Sequence, residues 1–150
     1  MSMKQYEFWF VVGSQDLYGQ EVLDTVAKRA AEMAESMTAS GNLPCKLVYK
    51  VTAMSNAQIR DIVAEANYDK KCAGIITWCH TFSPSKMWIN GFVNLQKPYC
   101  HLATQYNLEI PNDEIDMDFM NLNQAAHGDR EHGFIAARLR MPRKVIAGYW

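Results

Sequence analysis

Four stretches of the chain carry residues able to do chemistry. Gly13-Ser14-Gln15-Asp16-Leu17-Tyr18-Gly19 closes an apolar run with an amide, a carboxylate and a phenol, each able to hydrogen-bond a hydroxylated ligand. It matches neither the dinucleotide fingerprint nor the P-loop, so it offers no ready phosphate cradle. The competing reading is a polar turn in which Asp16 and Tyr18 are satisfied by nearby backbone. Trp78-Cys79-His80-Thr81-Phe82-Ser83-Pro84 offers an imidazole and an aromatic face. Aromatic faces stack on the C–H faces of sugars, although a loop Phe often belongs to the core and a lone His is often structural. Asp113, Glu114, Asp116 and Asp118 form an acidic run that hard cations would favour. Lacking the glycine and distal Glu of an EF-hand, the run reads better as carboxylates opposing a helix dipole at its N-terminus. The segment from Asn121 to His132 is unusually polar for a helix that must pack on a sheet. Gln124 and His127 fall on one helical face there. HExxH spacing is absent, and Asp129, Arg130 and Glu131 read as ion-paired among themselves.

These stretches must be positioned by the elements around them. Tyr6 to Val12 is a continuous apolar and aromatic run ending at Gly13, as expected of a strand covered on both faces. Val22, Val26, Ala30, Met33 and Met37 recur at helical spacing, with Gly41 as the C-cap. Cys45, Leu47, Tyr49 and Val51 alternate with Lys46, Val48 and Lys50, which suits a strand near the sheet edge. Ser55 and Gln58 form a capping box ahead of the stripe Ile59, Ile62, Val63 and Ala66. Ala73 to Trp78 is a third strand, and Ser83-Pro84 pairs an N-cap with a first-turn proline before a short helix from Met87 to Leu95. Pro98 to Ala103 is a fourth strand. Asp116 to Arg140 is mostly helical, with interruptions expected at Gly128 and Gly133, and Val145 to Trp150 is a fifth strand.

Strands alternating with helices predict right-handed crossovers and an α/β fold: a three-layer, doubly wound parallel sheet in the flavodoxin-like order 2-1-3-4-5. That order places a switch point between strands one and three. The loops Gly13 to Gly19 and Cys79 to Pro84 then flank one crevice at the carboxyl edge, with the loop from Thr104 nearby. The last strand has no helix after it, so the chain is expected to be truncated at the fifth strand of a longer protein.

The totals narrow the partners. At 150 residues, 49% hydrophobic and 21% charged, with a net charge of -1, the chain can build a core and lacks the basic footprint of nucleic-acid binding. Its four cysteines contain no CxxC pair and read as buried reduced thiols. No apolar stretch is long enough to span a membrane, and Met1 to Trp9 has no signal-peptide pattern, so the cytoplasm is the expected compartment.

Several blocks resemble, in order and spacing, the start of bacterial L-arabinose isomerases. They are Phe8 to Gln15 with Leu17-Tyr18-Gly19, Leu43 to Val48, His80 to Gly91, and Ile115 to Gln124 with His127-Gly128 and Arg130-Glu131. The resemblance implies an aldose–ketose isomerase that interconverts L-arabinose and L-ribulose, often also D-galactose and D-tagatose, by proton transfer between C1 and C2 through an enediol. It implies manganese held by glutamates and histidines downstream of this segment, and a homo-hexamer in which this domain helps form a neighbour's sugar pocket. Carried over by matched motif, the substrate contacts would be Gln15, Leu17, Tyr18, Phe82, Gln124 and His127. His132 stands where the family commonly has an aromatic, and Asp16 occupies a variable place. This segment alone is then expected to be inactive. The alternatives are a non-catalytic sugar-binding module of the same fold, or a flavodoxin-like electron carrier, for which Gln15 to Tyr18 makes a poor phosphate loop.

Overall fold

The computed structural model describes residues 3–113 and 115–150, so Glu114 of the acidic run lies outside the described residues. Strands β1 (Glu7–Gly13), β2 (Lys46–Ala53), β3 (Cys72–Cys79), β4 (Tyr99–Ala103) and β5 (Lys144–Ala147) form one sheet in the order β2-β1-β3-β4-β5. Every pairing is parallel. The helices are α1 (Gln20–Ala39), α2 (Asn56–Tyr68), α3 (Ile89–Asn94), α4 (Met117–Leu122) and α5 (Ala125–Arg138).

Period-two alternation in β1 feeds two cores. Phe10 and Val12 face α1, where Val26, Ala30 and Met33 pack on them together with Trp78. Trp9 and Val11 face the other way, into Ile59 and Val63 of α2, Phe92 of α3 and Ala136 of α5. All of these side chains are buried, which is why the strand reads as an unbroken apolar run. The fold is therefore the expected doubly wound α/β arrangement with helices on both faces.

Four local expectations are corrected. β2 does not keep one apolar face: its register against β1 passes from Tyr49 directly to Val51. That bulge at Lys50 sends Leu47 and Tyr49 to the α1 core and Val51 to the opposite one, since a one-residue slip exchanges faces. Ser83 is not a helix cap. Pro84 precedes a 3-10 turn, Ser85–Trp88, and the Ser83 hydroxyl instead accepts a hydrogen bond from Trp88 Nε1 at 3.2 Å. Gly41 lies one residue beyond the cap, which is Ser40, and ends α1 through its positive φ of 72°. The helical stretch after Asp116 breaks at Asn123-Gln124, and α5 runs through Gly128 and Gly133 without interruption. Gly128 is there for close approach: a Cβ on it would stand 2.8 Å from the Ser83 carbonyl oxygen.

The cap predicted for α2 forms, with Ser55 Oγ accepting from Gln58 N at 3.3 Å and Gln58 Oε1 accepting from Met54 N at 2.8 Å. Asp116 caps α4 by accepting from Phe119 N at 2.8 Å, and Asp118 lies in that helix's first turn.

Candidate functional site at the carboxyl edge

The chain order brings the loops after β1 and β3 side by side, and two hydrogen bonds join them. Ser14 Oγ and Thr81 Oγ1, both fully buried, lie 2.7 Å apart, and Gln15 Nε2 donates to the Phe82 carbonyl at 3.0 Å. Burial raises the Tyr18 phenol's pKa, against the opposing pull of the Phe82 backbone and the Gln15 side chain, so the phenol stands beside both. From the other side α5 presents His127, whose ring meets Phe82 edge-on with 5.5 Å between centroids. The Ser85 hydroxyl donates to the Gly128 carbonyl at 3.2 Å, and Ser85 N donates to Glu131 at 3.3 Å, which ties the first turns of α5 to the Phe82 loop. The result is an aromatic face flanked by an amide, a phenol and an imidazole. Beside it, a cleft of about 650 Å³ is lined by Leu17, Tyr18, Val22 and Thr25 on one wall and Asp118 and Leu122 on the other.

Two buried histidines support this edge. Arg29 reaches His80 Nε2 at 2.8 Å, and because a guanidinium only donates, His80 carries its own proton on Nδ1. That Nδ1 is buried and has no hydrogen-bond partner among the described residues. Burial and the Arg29 charge together depress the His80 pKa to about 4. The same guanidinium lies over the Tyr106 ring at 4.4 Å. On the opposite face of the sheet, His101 Nε2 lies 2.9 Å from the Asp129 carboxylate, and His101 Nδ1 lies 2.8 Å from Thr77 Oγ1. The His132 ring stacks on His101 at 4.4 Å and 3°. Burial and the neighbouring His101 hold the His132 pKa well below the usual histidine value.

The model of the L-arabinose isomerase N-terminal domain matches residues 2–150. The chain belongs to that family. It is 57% identical over 150 residues to the L-arabinose isomerase of Thermotoga neapolitana, covering all of this chain and 30% of that protein. The enzyme of Flavobacterium johnsoniae gives the same identity and coverage. L-arabinose isomerase 1 of Clostridium acetobutylicum is 58% identical over 147 residues, covering 98% of this chain and 30% of that one. The chain thus spans about a third of the length of the curated relatives it matches. Among solved structures, a GDP-L-fucose synthetase from Naegleria fowleri aligns over 99% of this chain and 51% of its own, with 12% identity and a TM-score of 0.34, too slight a likeness to bear on fold or function.

Within this family domain, four of the six residues singled out from the sequence converge: Gln15, Tyr18, Phe82 and His127. Leu17 stands at the cleft wall, largely exposed. Gln124 sits at the N-cap of α5, half-buried, one turn from His127. Two expectations about the polar helix fail. Asp129 is paired not with Arg130 but with His101 on β4, and Glu131 is taken by the Ser85 amide. Sequence reasoning missed Thr81, Arg29 and His101, whose roles rest on partners 24 or more positions away and leave no mark in local spacing.

Proposed function

We propose that this chain is the amino-terminal, sugar-binding part of a longer L-arabinose isomerase that interconverts L-arabinose and L-ribulose, and D-galactose and D-tagatose, in the cytoplasm. The observation that carries the reading is the joined pair of loops: Gln15 and Tyr18 beside Phe82, with His127 over the ring, in a chain of this family. A sugar presents C–H faces and a rim of hydroxyls. Phe82 suits the first, with Leu17 as a second apolar wall. With its Nε2 engaged, Gln15 offers Oε1 to accept from a hydroxyl, and Tyr18, Gln124 and His127 supply further neutral polar partners. A nearby imidazole also suits proton transfer to a ring oxygen as the sugar opens.

The isomerase step calls for manganese, whose charge stabilises the reacting oxygens when bound. The described residues of this segment do not fit that role. Among the described residues no group of three or more His, Cys, Asp and Glu is placed to hold an ion. Asp129 and His101 are engaged with each other, and Asp116 caps a helix. We therefore assign the metal ligands to the rest of the longer protein, and expect the segment alone to produce no L-ribulose even with manganese added. We further assign this domain to a homo-hexamer in which it completes a neighbour's pocket. Among the described residues no helix is long and apolar enough to cross a membrane.

The test is made in the full-length enzyme. Gln15→Ala and Phe82→Ala should each weaken sugar binding by about 1–3 kcal/mol while manganese affinity stays unchanged. Unaltered kinetics in both would remove the two residues from the site. Sugar binding without any ketose formation by the intact protein would favour a binding module. For the shared pocket, a His127→Ala chain and a chain with a disabled metal site, each too slow alone, should regain ketose production when mixed and exchanged into one oligomer. No recovery after confirmed exchange would overturn the sharing.

A further inference from the structure

Behind the Phe82 loop, six buried or nearly buried polar groups form one continuous file. Cys79 Sγ lies 3.7 Å from His132 Nε2, His132 Nδ1 lies 3.3 Å from the Tyr99 hydroxyl, and that hydroxyl lies 3.0 Å from Thr77 Oγ1. Thr77 Oγ1 is 2.8 Å from His101 Nδ1, and His101 Nε2 is 2.9 Å from Asp129. With Asp129 ionised and both rings neutral, a single assignment of hydrogens satisfies every member. An ionised carboxylate only accepts, so His101 donates to it from Nε2 and accepts from Thr77 at Nδ1. Thr77 has then spent its one hydrogen and accepts from Tyr99. Tyr99 in turn accepts from His132 Nδ1–H, leaving Nε2 to accept from the Cys79 thiol.

This file is an expensive way to fill a core, since apolar side chains of similar volume serve stability as well or better. What it supplies is position. The fully buried face that α5 turns to the sheet is Ala125, Gly128, His132 and Ala136, two alanines, a glycine and a histidine, with half-buried Ile135 packing beside it. Apolar packing of this kind leaves the helix's rotation loosely set, and Asp129 and His132 fix it through partners on β3 and β4 that a shift or rotation of α5 would strand. His127 lies two residues from Asp129 on the same turn.

On the reading that His127 belongs to the sugar site, we propose that the hydrogen-bonded file from Cys79 to Asp129 is the positioning element of that site, fixing α5 on the sheet so that His127 is held against Phe82. Thr77, Tyr99, His101, Asp129 and His132 are then positioning residues that never touch the sugar. The test uses the full-length enzyme and L-arabitol, the reduced and unreactive form of the sugar, with Kd read by calorimetry. Thr77→Val keeps shape and strand preference but removes the hydroxyl that links the two halves of the file. It should raise the Kd about tenfold, as expected when one binding group is displaced, and Thr77→Ser should restore it. In a His127→Ala background Thr77→Val should add nothing, because its effect passes through His127. Should Thr77→Val fail to fold, Tyr99→Phe breaks the next link and is held to the same criteria. A folded variant with unchanged Kd, or one whose effect is undiminished in the His127→Ala background, overturns the proposal while the sugar site stands. If His127→Ala alone leaves Kd unchanged, the site assignment itself falls and takes the proposal with it.

Discussion

His80 and His101 stand near the carboxyl ends of neighbouring strands, are equally buried, and point to opposite faces of one sheet. Their electrostatic settings are opposed. His80 faces the cation of Arg29 and keeps one buried N–H with no partner among the described residues, whereas His101 faces the carboxylate of Asp129 and has both ring nitrogens engaged. The first arrangement requires a neutral ring, so it is sensitive to acid. The second is a closed set of hydrogen bonds that costs most when a member is removed. One residue type thus serves two kinds of support under the same site, and the partner decides which.

The largest effect should come from opening the closed set. Asp129→Ala leaves the His101 Nε2–H buried and unpaired, and stranding a buried donor that had bonded to a charged group costs up to about 3 kcal/mol. Arg29→Ala frees His80 from an unfavourable charge while removing one hydrogen bond, so it should cost only about 1 kcal/mol. Urea unfolding of both variants at pH 7 checks the order. Equal losses would mean that the two histidines are supported alike.

A smaller effect separates the two by pH. The folded His80 pKa lies at about 4, below the ordinary 6.5, so the unfolded chain binds the proton more readily between those values. Its contribution is complete above 6.5 and is lost as pH falls through 4, a loss of about 3 kcal/mol for a shift of this size. His132 acts in the same direction. His80→Phe keeps an aromatic between Trp78 and Tyr106 and should reduce the acid-induced loss by most of that amount, leaving the share due to His132. An unchanged slope between pH 6.5 and 4 would show that His80 does not carry the acid sensitivity.

How much of this was legible beforehand follows from where each signal resides. The apolar run Phe8–Val12 and the spacing Val26, Ala30, Met33 are local, and they lead directly to the sheet order and so to the adjacency of Gln15 and Phe82. The exchange of faces at Lys50 arises from pairing with β1, so alternation within β2 alone points Val51 to the wrong core. Ser83 has the composition of a cap, but its hydroxyl is claimed by Trp88 from within the fold. Asp129 has a near neighbour of opposite charge in Arg130, and its true partner lies 28 residues away. Gln124 and His127 share a face by spacing, but their relation to a sugar came from the family resemblance and not from periodicity.

The smallest effect tests how tightly α5 is held, at its two glycines. Replacing a helical glycine by alanine normally favours the helix by about 1 kcal/mol. At Gly133 the new Cβ would meet only Val145 Cγ2 at 3.2 Å, on a side chain 41% exposed and free to turn aside, so Gly133→Ala should be neutral or mildly stabilising. At Gly128 it would meet the Ser83 carbonyl at 2.8 Å and Cys79 Sγ at 3.4 Å. Neither can yield easily, because Ser83 belongs to the loop bonded to Trp88 and Cys79 ends β3 against His132. Overpacking of this kind costs about 1–3 kcal/mol, which outweighs the helical gain and leaves Gly128→Ala less stable by about 1 kcal/mol. The strain falls between Gly128 and Ser83, the sequence neighbours of His127 and Phe82, so on the proposed function the same variant should also bind sugar more weakly in the full-length protein, and Gly133→Ala should not. Stability measured by urea and binding measured by calorimetry on the two variants would separate them. If Gly128→Ala were as benign as Gly133→Ala, α5 would have room to move, and the rigid half of the comparison would be lost.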